Sequence, residues 1–171
     1  MGRYRRNSIM LLGILSDTHD RIDAAAAGIA ALKSAGAEYF IHCGDVGSEP
    51  VLDLLAGLPS AFVWGNNDWD RAALQRYAGE LGIQCFGAFG ELELDGKAIA
   101  IAHGDDERAV RRVLDGQKHD YLFVGHSHGK ADGRVGRVRV INPGALYRAR
   151  EKTVATLDTA ADRLRFDVVA V

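Results

Sequence analysis

The chain has 171 residues, of which 47% are hydrophobic and 26% charged, and its formal net charge is −2. This length and composition indicate one globular domain with a sizeable core, and no apolar run approaches the roughly 18 residues that a membrane span requires. The near-neutral charge gives no strong nucleic-acid signal, but it is compatible with a local site for a small anion.

The first residues, MGRYRRNS, are basic but lead into neither a secretory signal nor a myristoylation pattern. We therefore expect residues 1–8 to be a flexible tail on a cytoplasmic protein, and residues 9–171 to form a single domain. Cys43 and Cys85 lie in or beside apolar stretches without a CxxC pairing, which favours buried free thiols over a disulfide.

Strands and helices alternate in the first half of the domain. In the first predicted helix, Ile22, Ala26, Ile29 and Leu32 share one face. Pro50 in a first turn and Asp70 as an N-cap mark the starts of the next two. The apolar runs predict strands at residues 9–15, 38–43 and 61–64, and helical spacing predicts helices at residues 21–33, 48–58 and 70–81.

The second half is richer in strands. Asp95 and Gly96 predict a hairpin turn between strands 89–94 and 97–102. A helix is predicted at residues 105–116, followed by a strand at 121–124, an alternating segment with two glycine turns at 130–141, and a closing strand pair at 152–159 and 163–171. The order of elements predicts an α/β fold with two packed sheets flanked by helices.

A cluster of polar residues follows each of five predicted strands, and four of the six histidines belong to these clusters. Sites in α/β sheets form outside the carboxyl ends of the strands, so we expect these side chains to lie together. Each cluster alone is a common turn pattern, but five in order favour a site. The candidate residues are Asp17, His19, Asp45, Asn66, His103, His126 and His128.

Seven nitrogen and oxygen donors exceed the needs of one metal ion and suit two ions that share a carboxylate. A donor set without thiolates suits manganese, with iron, zinc or nickel as alternatives. Two divalent transition metal ions about 3.5–4 Å apart can orient a phosphoryl group and supply a nucleophilic hydroxide. Glycines before three of the clusters (Gly44, Gly65 and Gly125) are expected to let the backbone turn sharply towards the metals.

The ordered motifs DxH, GD, GN, H and GHxH resemble the calcineurin-like metallophosphoesterase family, and more narrowly its small bacterial and archaeal phosphodiesterases. The resemblance runs from Ser16 to Gly144, and INPGAL (residues 141–146) is similar to a turn of that branch. It implies a four-layer αββα sandwich whose two mixed β-sheets are flanked by helices. It also implies a hydrolase in which a hydroxide bridging two metal ions attacks phosphorus.

The resemblance also implies a division of the ligands. Asp17, His19, Asp45 and His128 would bind one metal, and Asp45, Asn66, His103 and His126 would bind the other, with Asp45 bridging. Asp45, Asn66 and His103 are the expected catalytic residues. The expected partner is a small phosphoester substrate, with a nucleotide as one form of it, and a homo-oligomer is compatible with the sequence.

Two positions depart from the family pattern. Many members have a histidine at the position of Asn67, thought to protonate the leaving group, and an amide cannot do so near neutral pH. Ala145 replaces a serine that often follows Pro-Gly in this branch. The first departure predicts better activity on diesters and activated esters than on alkyl phosphomonoesters.

Other functions and other residues are also to be weighed. A protein-interaction scaffold on the same fold, like a subunit of the retromer coat, is the alternative from a different class, and a nucleotide phosphohydrolase is a further one. Among the remaining polar residues, His119 is expected to be exposed. Arg71 and Arg148 are expected to be surface charges, with contact to a phosphate oxygen as the alternative. Trp69 is a candidate for the substrate mouth, and Asp68 is expected either to hydrogen-bond a ligand or its own loop or to form an Asx turn.

Overall fold

The computed structural model describes residues 10–171; the expected tail and Ile9 of the first predicted strand lie outside this range. The described part contains four helices: α1 (Ile22–Ser34), α2 (Glu49–Asp53), α3 (Arg71–Glu80) and α4 (Glu107–Gly116). Its strands are β1 (Leu11–Leu15), β2 (Tyr39–His42), β3 (Ser60–Phe62), β4 (Gln84–Cys85), β5 (Phe89–Leu94), β6 (Lys97–Ala102), β7 (Tyr121–Phe123), β8 (Ala131–Val135), β9 (Val138–Asn142), β10 (Thr153–Asp158) and β11 (Arg163–Val168).

The strands form two mixed sheets. The first has the order β11-β10-β1-β2-β3-β4, and its strands β1 to β4 run parallel, with β10 antiparallel to β1. The second has the order β5-β6-β7-β9-β8, with β6, β7 and β9 parallel and an antiparallel strand at each edge. The closing strands β10 and β11 therefore return to the first sheet and make it mixed.

Three apolar clusters define four layers. Phe40, Phe62 and Leu32 belong to the cluster between the first sheet and helices α1–α3. Ile14 and Phe123 belong to the cluster between the two sheets, and a smaller cluster packs α4 on the second sheet. The predicted α/β fold, a four-layer αββα sandwich, is confirmed.

Several local predictions were wrong. Helix α2 ends at Asp53 rather than at Leu58, because the chain continues in tight turns such as Leu58 N–H to the Leu55 carbonyl. Strand β4 was not foreseen. On α1, Ile29 and Leu32 are buried as predicted, but Ile22, the first residue of the helix, is 42% exposed.

The segment before β9 also differs from its prediction. Gly133 lies within β8 rather than in a turn, so the segment forms one hairpin. None of the helices within residues 10–171 combines the length and apolar character needed to cross a bilayer.

Candidate metal centre

The loops after five parallel strands meet at one end of the two sheets. The loops of different sheets are bonded directly, as His126 N–H donates to Asp17 Oδ2 at 3.0 Å. All seven candidate ligands lie on these loops: Asp17 and His19 after β1, Asp45 after β2, Asn66 after β3, His103 after β6, and His126 and His128 after β7.

Most of these residues have left-handed backbone conformations. The φ angle is 53° at Asp17, 44° at His19, 54° at Asp45, 67° at His126 and 59° at His128. This conformation costs L-residues about 1–2 kcal/mol each, although Asp and His tolerate it better than most. Such strain persists where the surrounding structure enforces it, and it concentrates at functional sites. The sequence motifs did not indicate it.

Two glycines allow the loops to approach each other more closely than a side chain would permit. A Cβ on Gly65 would lie 2.0 Å from Asp45 Oδ1, and one on Gly125 would lie 2.0 Å from Ser16 Oγ. Neither glycine is among the residues with positive φ, so close approach rather than a sharp turn requires them. Gly44, with φ at 96°, meets the expectation of a turn.

Asp17 is fully buried and lies at the centre of the first group of donors. Its Oδ2 accepts hydrogen bonds from Ser16 Oγ at 2.7 Å and from the His126 amide. Its Oδ1 lies 3.3 Å from His128 Nε2 and 3.8 Å from His19 Nε2. Burial would raise the pKa of Asp17, but its contacts with His19 and Ser16 and the nearby imidazoles lower it overall.

Asp45 lies between the two groups of histidines. Its Oδ2 is 3.2 Å from both His19 Nε2 and His103 Nε2, and it accepts a hydrogen bond from Asn67 Nδ2 at 2.9 Å. Burial would raise the pKa of Asp45, but the hydrogen bonds from His103 and Asn67 hold it well below the usual range. The carboxylate is therefore ionised and faces both sides of the centre.

His103 and Asn66 continue the chain of contacts. His103 Nδ1 donates to the Cys43 carbonyl at 2.9 Å, which leaves Nε2 facing the carboxylates. Asn66 Oδ1 lies 3.1 Å from His103 Nε2 and 3.1 Å from His126 Nδ1. Burial would lower the pKa of His103, but Asp45 and the Cys43 carbonyl raise it to about 9. The centre thus has a potential that favours cations.

The donor set fits divalent cations. Asp17 Oδ1 and His19 Nε2 are buried and have no hydrogen-bond partner within residues 10–171. Two sets of donor atoms lie within 4.8 Å of one another: Asp17, His19 and His128, and Asp17, Asp45 and His103. Asp17 is common to both sets, whereas Asp45 belongs only to the second. Asn66 and His126 extend the second set by the contacts given above.

His42 at the end of β2 and Asp68 in the loop after β3 hold these loops in place. His42 is fully buried; its Nε2 donates to Thr18 Oγ1 at 2.9 Å and its Nδ1 accepts from Gly44 N–H. Asp68 accepts hydrogen bonds from Gly47 N–H and Gly65 N–H, so it joins the loops after β2 and β3 rather than forming a local Asx turn. Both side chains connect two loops that carry candidate ligands.

Asn142 plays a similar part in the second sheet. Its Nδ2 donates to the Gly125 carbonyl at 2.8 Å and to Ser127 Oγ at 3.0 Å, and its Oδ1 accepts from Gly144 N–H. It therefore fixes the loop that carries His126 and His128. The sequence marked Asn142 as part of the INPGAL turn, but it did not indicate that this side chain bonds the loop after β7.

Several predictions for the remaining polar residues need correction. His119 is not exposed: its side chain is 12% accessible and its Nε2 lies 2.8 Å from Glu91 Oε1. Arg71 is exposed as expected, but it also donates to the carbonyls of Asp68 and Gly65 and so supports the loop after β3. Trp69, in the same loop, is 86% exposed.

Tyr147 was missed by the sequence analysis. Its ring centroid lies 4.8 Å from that of His19 and 6.5 Å from that of His128. Two guanidinium groups lie near its ring, Arg148 at 5.1 Å and Arg21 at 5.8 Å from the centroid. No local motif marks a tyrosine brought to the site by the turn after β9.

Comparison with known proteins connects this arrangement to a family. The chain is 29% identical to the phosphodiesterase MJ0936 from Methanocaldococcus jannaschii over 161 residues, which cover 91% of this chain and 97% of that protein. A solved archaeal phosphodiesterase is 28% identical, with a TM-score of 0.87 over 94% of this chain and 100% of its own.

More distant structures share the fold. A zinc-complexed Vps29 from Entamoeba histolytica is 16% identical, with a TM-score of 0.63 over 94% of this chain and 98% of its own. The phosphoesterase Yfce from E. coli is 18% identical, with a TM-score of 0.66 over 94% of this chain and 100% of its own. Residues 10–162 match the calcineurin-like phosphoesterase superfamily domain. The chain therefore belongs to the calcineurin-like phosphoesterase superfamily.

Proposed function

We propose that the protein is a metal-dependent phosphoesterase that hydrolyses phosphodiester bonds. The observation that carries this proposal is the convergence of seven nitrogen and oxygen donors from two sheets around Oδ1 of buried Asp17, an atom with no hydrogen-bond partner within residues 10–171. Family membership and the names of the two relatives above 25% identity support the same reaction class.

The proposed ligands would divide between two ions. Asp17, His19, Asp45 and His128 would hold one ion, and Asp45, Asn66, His103 and His126 would hold the other. The position of Asp45 Oδ2, equally distant from His19 and His103, supports its role as the shared ligand. The scarcity of sulfur donors supports manganese, since Cys43 turns only its carbonyl to the site and burial raises the pKa of its thiol well above the usual value.

The bound ions would lower the pKa of a water molecule and neutralise charge on the phosphate oxygens. Asp45 orients the imidazoles of His19 and His103, and Asn66 orients those of His103 and His126. His103 presents Nε2 to the site because its Nδ1 proton is held by the Cys43 carbonyl. The loops bonded by His42 and Asp68 keep these groups from relaxing, so little reorganisation is needed during the reaction.

Hydrolysis of bis(p-nitrophenyl) phosphate with added Mn²⁺ tests this function. We expect activity that falls by at least about 10³-fold in Asp45→Ala and His126→Ala, because each removes a ligand on which the charge stabilisation depends. Asp115→Ala, a substitution of an exposed carboxylate on α4, serves as the control and should retain full activity. A folded protein that binds Mn²⁺ but cleaves no phosphoester would favour the scaffold function instead.

Asn67 predicts the dependence on the leaving group. Its amide is engaged with Asp45 Oδ2, and an amide has no proton to transfer near neutral pH. We expect p-nitrophenyl esters to be cleaved about 10²-fold or more faster than phenyl esters, since loss of a general acid costs about 10²–10⁴-fold and penalises poor leaving groups most. Steady-state kinetics on the matched pair measures this ratio, and equal rates would contradict the argument.

A further inference from the structure

The ring of Tyr147 forms one wall beside the first group of donors. It lies 4.8 Å from the His19 ring, measured between centroids, and so borders the ligand loop after β1. The proposed metal ligands do not include it, and none of the side-chain hydrogen bonds found among residues 10–171 involves it. Tyr147 therefore lies beside the first group of donors without being a candidate ligand itself.

Arg21 and Arg148 bring two positive charges to this wall. Their guanidinium carbons lie 5.8 Å and 5.1 Å from the Tyr147 centroid. Neither forms an ion pair with a carboxylate among residues 10–171, whereas Arg134, Arg137 and Arg139 all do. Cations near an aromatic ring and free of carboxylates are available to an anion.

The backbone supports a placed rather than an incidental Arg148. Its φ is 45°, a left-handed conformation that an arginine adopts at a cost. The preceding turn is anchored, since Gly144 N–H donates to Asn142 Oδ1 and Thr153 Oγ1 donates to the Pro143 carbonyl. The fold thus holds this residue beside Tyr147 in spite of the strain.

Space for a larger substrate lies next to Arg21. A cavity of about 560 Å³ is lined by Arg21, Lys152, Ile22 and Val171, with Asp20 and Asp23 as its acidic members. This volume is within the range of small-molecule sites. Two cationic and two acidic side chains line this cavity, so the excess of positive charge lies beside Tyr147, where Arg148 joins Arg21, and not in the cavity itself.

We infer that Arg21, Tyr147 and Arg148 form a subsite for a second anionic group of the substrate, so that the preferred substrates are phosphodiesters carrying a further phosphate. This inference rests on the proposed function, because it takes the scissile phosphate to lie at the two metal ions. The two guanidiniums bind the further phosphate, and Tyr147 keeps them beside the centre.

Calorimetric binding to the Mn²⁺-loaded protein tests the subsite without relying on turnover. The probes are adenosine 5′-monophosphate and adenosine 3′,5′-bisphosphate, with ligand integrity checked after each titration. We expect the bisphosphate to bind about tenfold more tightly, the gain of a charge-assisted contact. In Arg21→Ala/Arg148→Ala this preference should fall below about twofold while monophosphate affinity stays nearly constant. Raising the salt should reduce the wild-type preference.

One control variant, one further double variant and three outcomes complete the test. Arg76→Ala removes an exposed arginine from α3 and should keep the preference, and Arg21→Gln/Arg148→Gln repeats the loss with side chains closer in size. A preference that survives in both double variants overturns the subsite. If bis(p-nitrophenyl) phosphate is cleaved but the probes bind equally, the subsite fails and the function stands. If no ester is cleaved but the preference holds, the function fails and the anion subsite stands.

Discussion

At the scale of single residues, the geometry of the centre depends on the lack of a side chain at Gly65. Gly65 has no side chain because Asp45 Oδ1 occupies the space where a Cβ would lie, only 2.0 Å away. Asp45 in turn has its position because Asn67 N–H and Nδ2 both donate to it. The absence of a Cβ at Gly65 thus leaves room for the Asp45 carboxylate, and Asn67 holds it there.

We predict that Gly65→Ala destabilises the protein by roughly 3 kcal/mol, because the backbone must move to relieve the overlap. Displacement of Asp45 should also weaken Mn²⁺ binding. Gly79→Ala is the matched control: its Cβ would meet nothing within 4 Å, and replacing a helical glycine should stabilise α3 by about 0.5–1 kcal/mol. Urea denaturation and Mn²⁺ titration of both variants give the comparison; an unchanged Gly65→Ala protein would refute it.

The candidate ligands were predictable from sequence because each follows an apolar strand, and strand ends converge in parallel sheets. Tyr147 and Arg21 were not, since their proximity depends on how the turn after β9 packs against the start of α1. The reason for Gly65 was not predictable either, because the sequence does not distinguish a glycine that turns the chain from one that makes room for a neighbouring side chain.

At the scale of elements, strand β2 ends in a residue that connects two ligand loops. His42 bonds Thr18 on the loop after β1 and Gly44 on the loop after β2. Thr18 Oγ1 donates onward to the Val46 carbonyl at 2.8 Å. This chain of bonds requires a neutral imidazole, because Nδ1 must be free of a proton to accept the hydrogen bond from Gly44 N–H.

We therefore expect low pH to reduce the free energy of unfolding through protonation of His42. Burial lowers its pKa from 6.5 to about 4, so between these pH values the unfolded chain binds a proton that the native state does not. The stabilisation is present above pH 6.5 and is lost as the pH falls towards 4. It amounts to roughly 3 kcal/mol. We expect the unfolding free energy of His42→Gln, measured in urea across this range, to fall by correspondingly less than that of the wild type; parallel curves would contradict this assignment.

The element boundaries show where sequence patterns lose information. Asp70 was predicted as an N-cap and accepts the Ala73 amide, because capping is a local interaction. The end of α2 and the two residues of β4 depend on tertiary packing. So does the exposure of Ile22, which shares its predicted face with the buried Ile29 and Leu32. Local chemistry is readable from sequence, whereas competition for a buried face is not.

At the scale of the whole molecule, a polar contact joins the two sheets far from the loops of the centre. Asp162, between β10 and β11 of the first sheet, accepts from Tyr121 on β7 and from Arg139 on β9 of the second sheet, both at 2.7 Å. Burial would raise the pKa of Asp162, but these two partners lower it overall. The contact helps to set how the sheets face each other.

We expect Asp162→Ala to reduce the unfolding free energy by about 1–2 kcal/mol, since the Tyr121 hydroxyl and one side of Arg139 lose their partner. Because the pKa is lowered, this contribution should be present above pH 3.8 and shrink below it. Asp167→Ala, which breaks an exposed pair with Arg165, should change stability by less than about 0.5 kcal/mol. Thermal unfolding of both variants measures the difference. Equal losses of stability in Asp162→Ala and Asp167→Ala would contradict a stabilising contact between the sheets at Asp162.

The left-handed backbone at five of the donor positions limits how the centre can be redesigned. Glutamate or cysteine, the usual choices for altering metal selectivity, would have to adopt a conformation at residue 17, 19, 45, 126 or 128 that they tolerate less well than aspartate or histidine. Asn66 and His103 are not among the positive-φ residues, so substitutions there change the donor atom without that conformational cost. An engineer seeking a different metal preference would begin at these two positions.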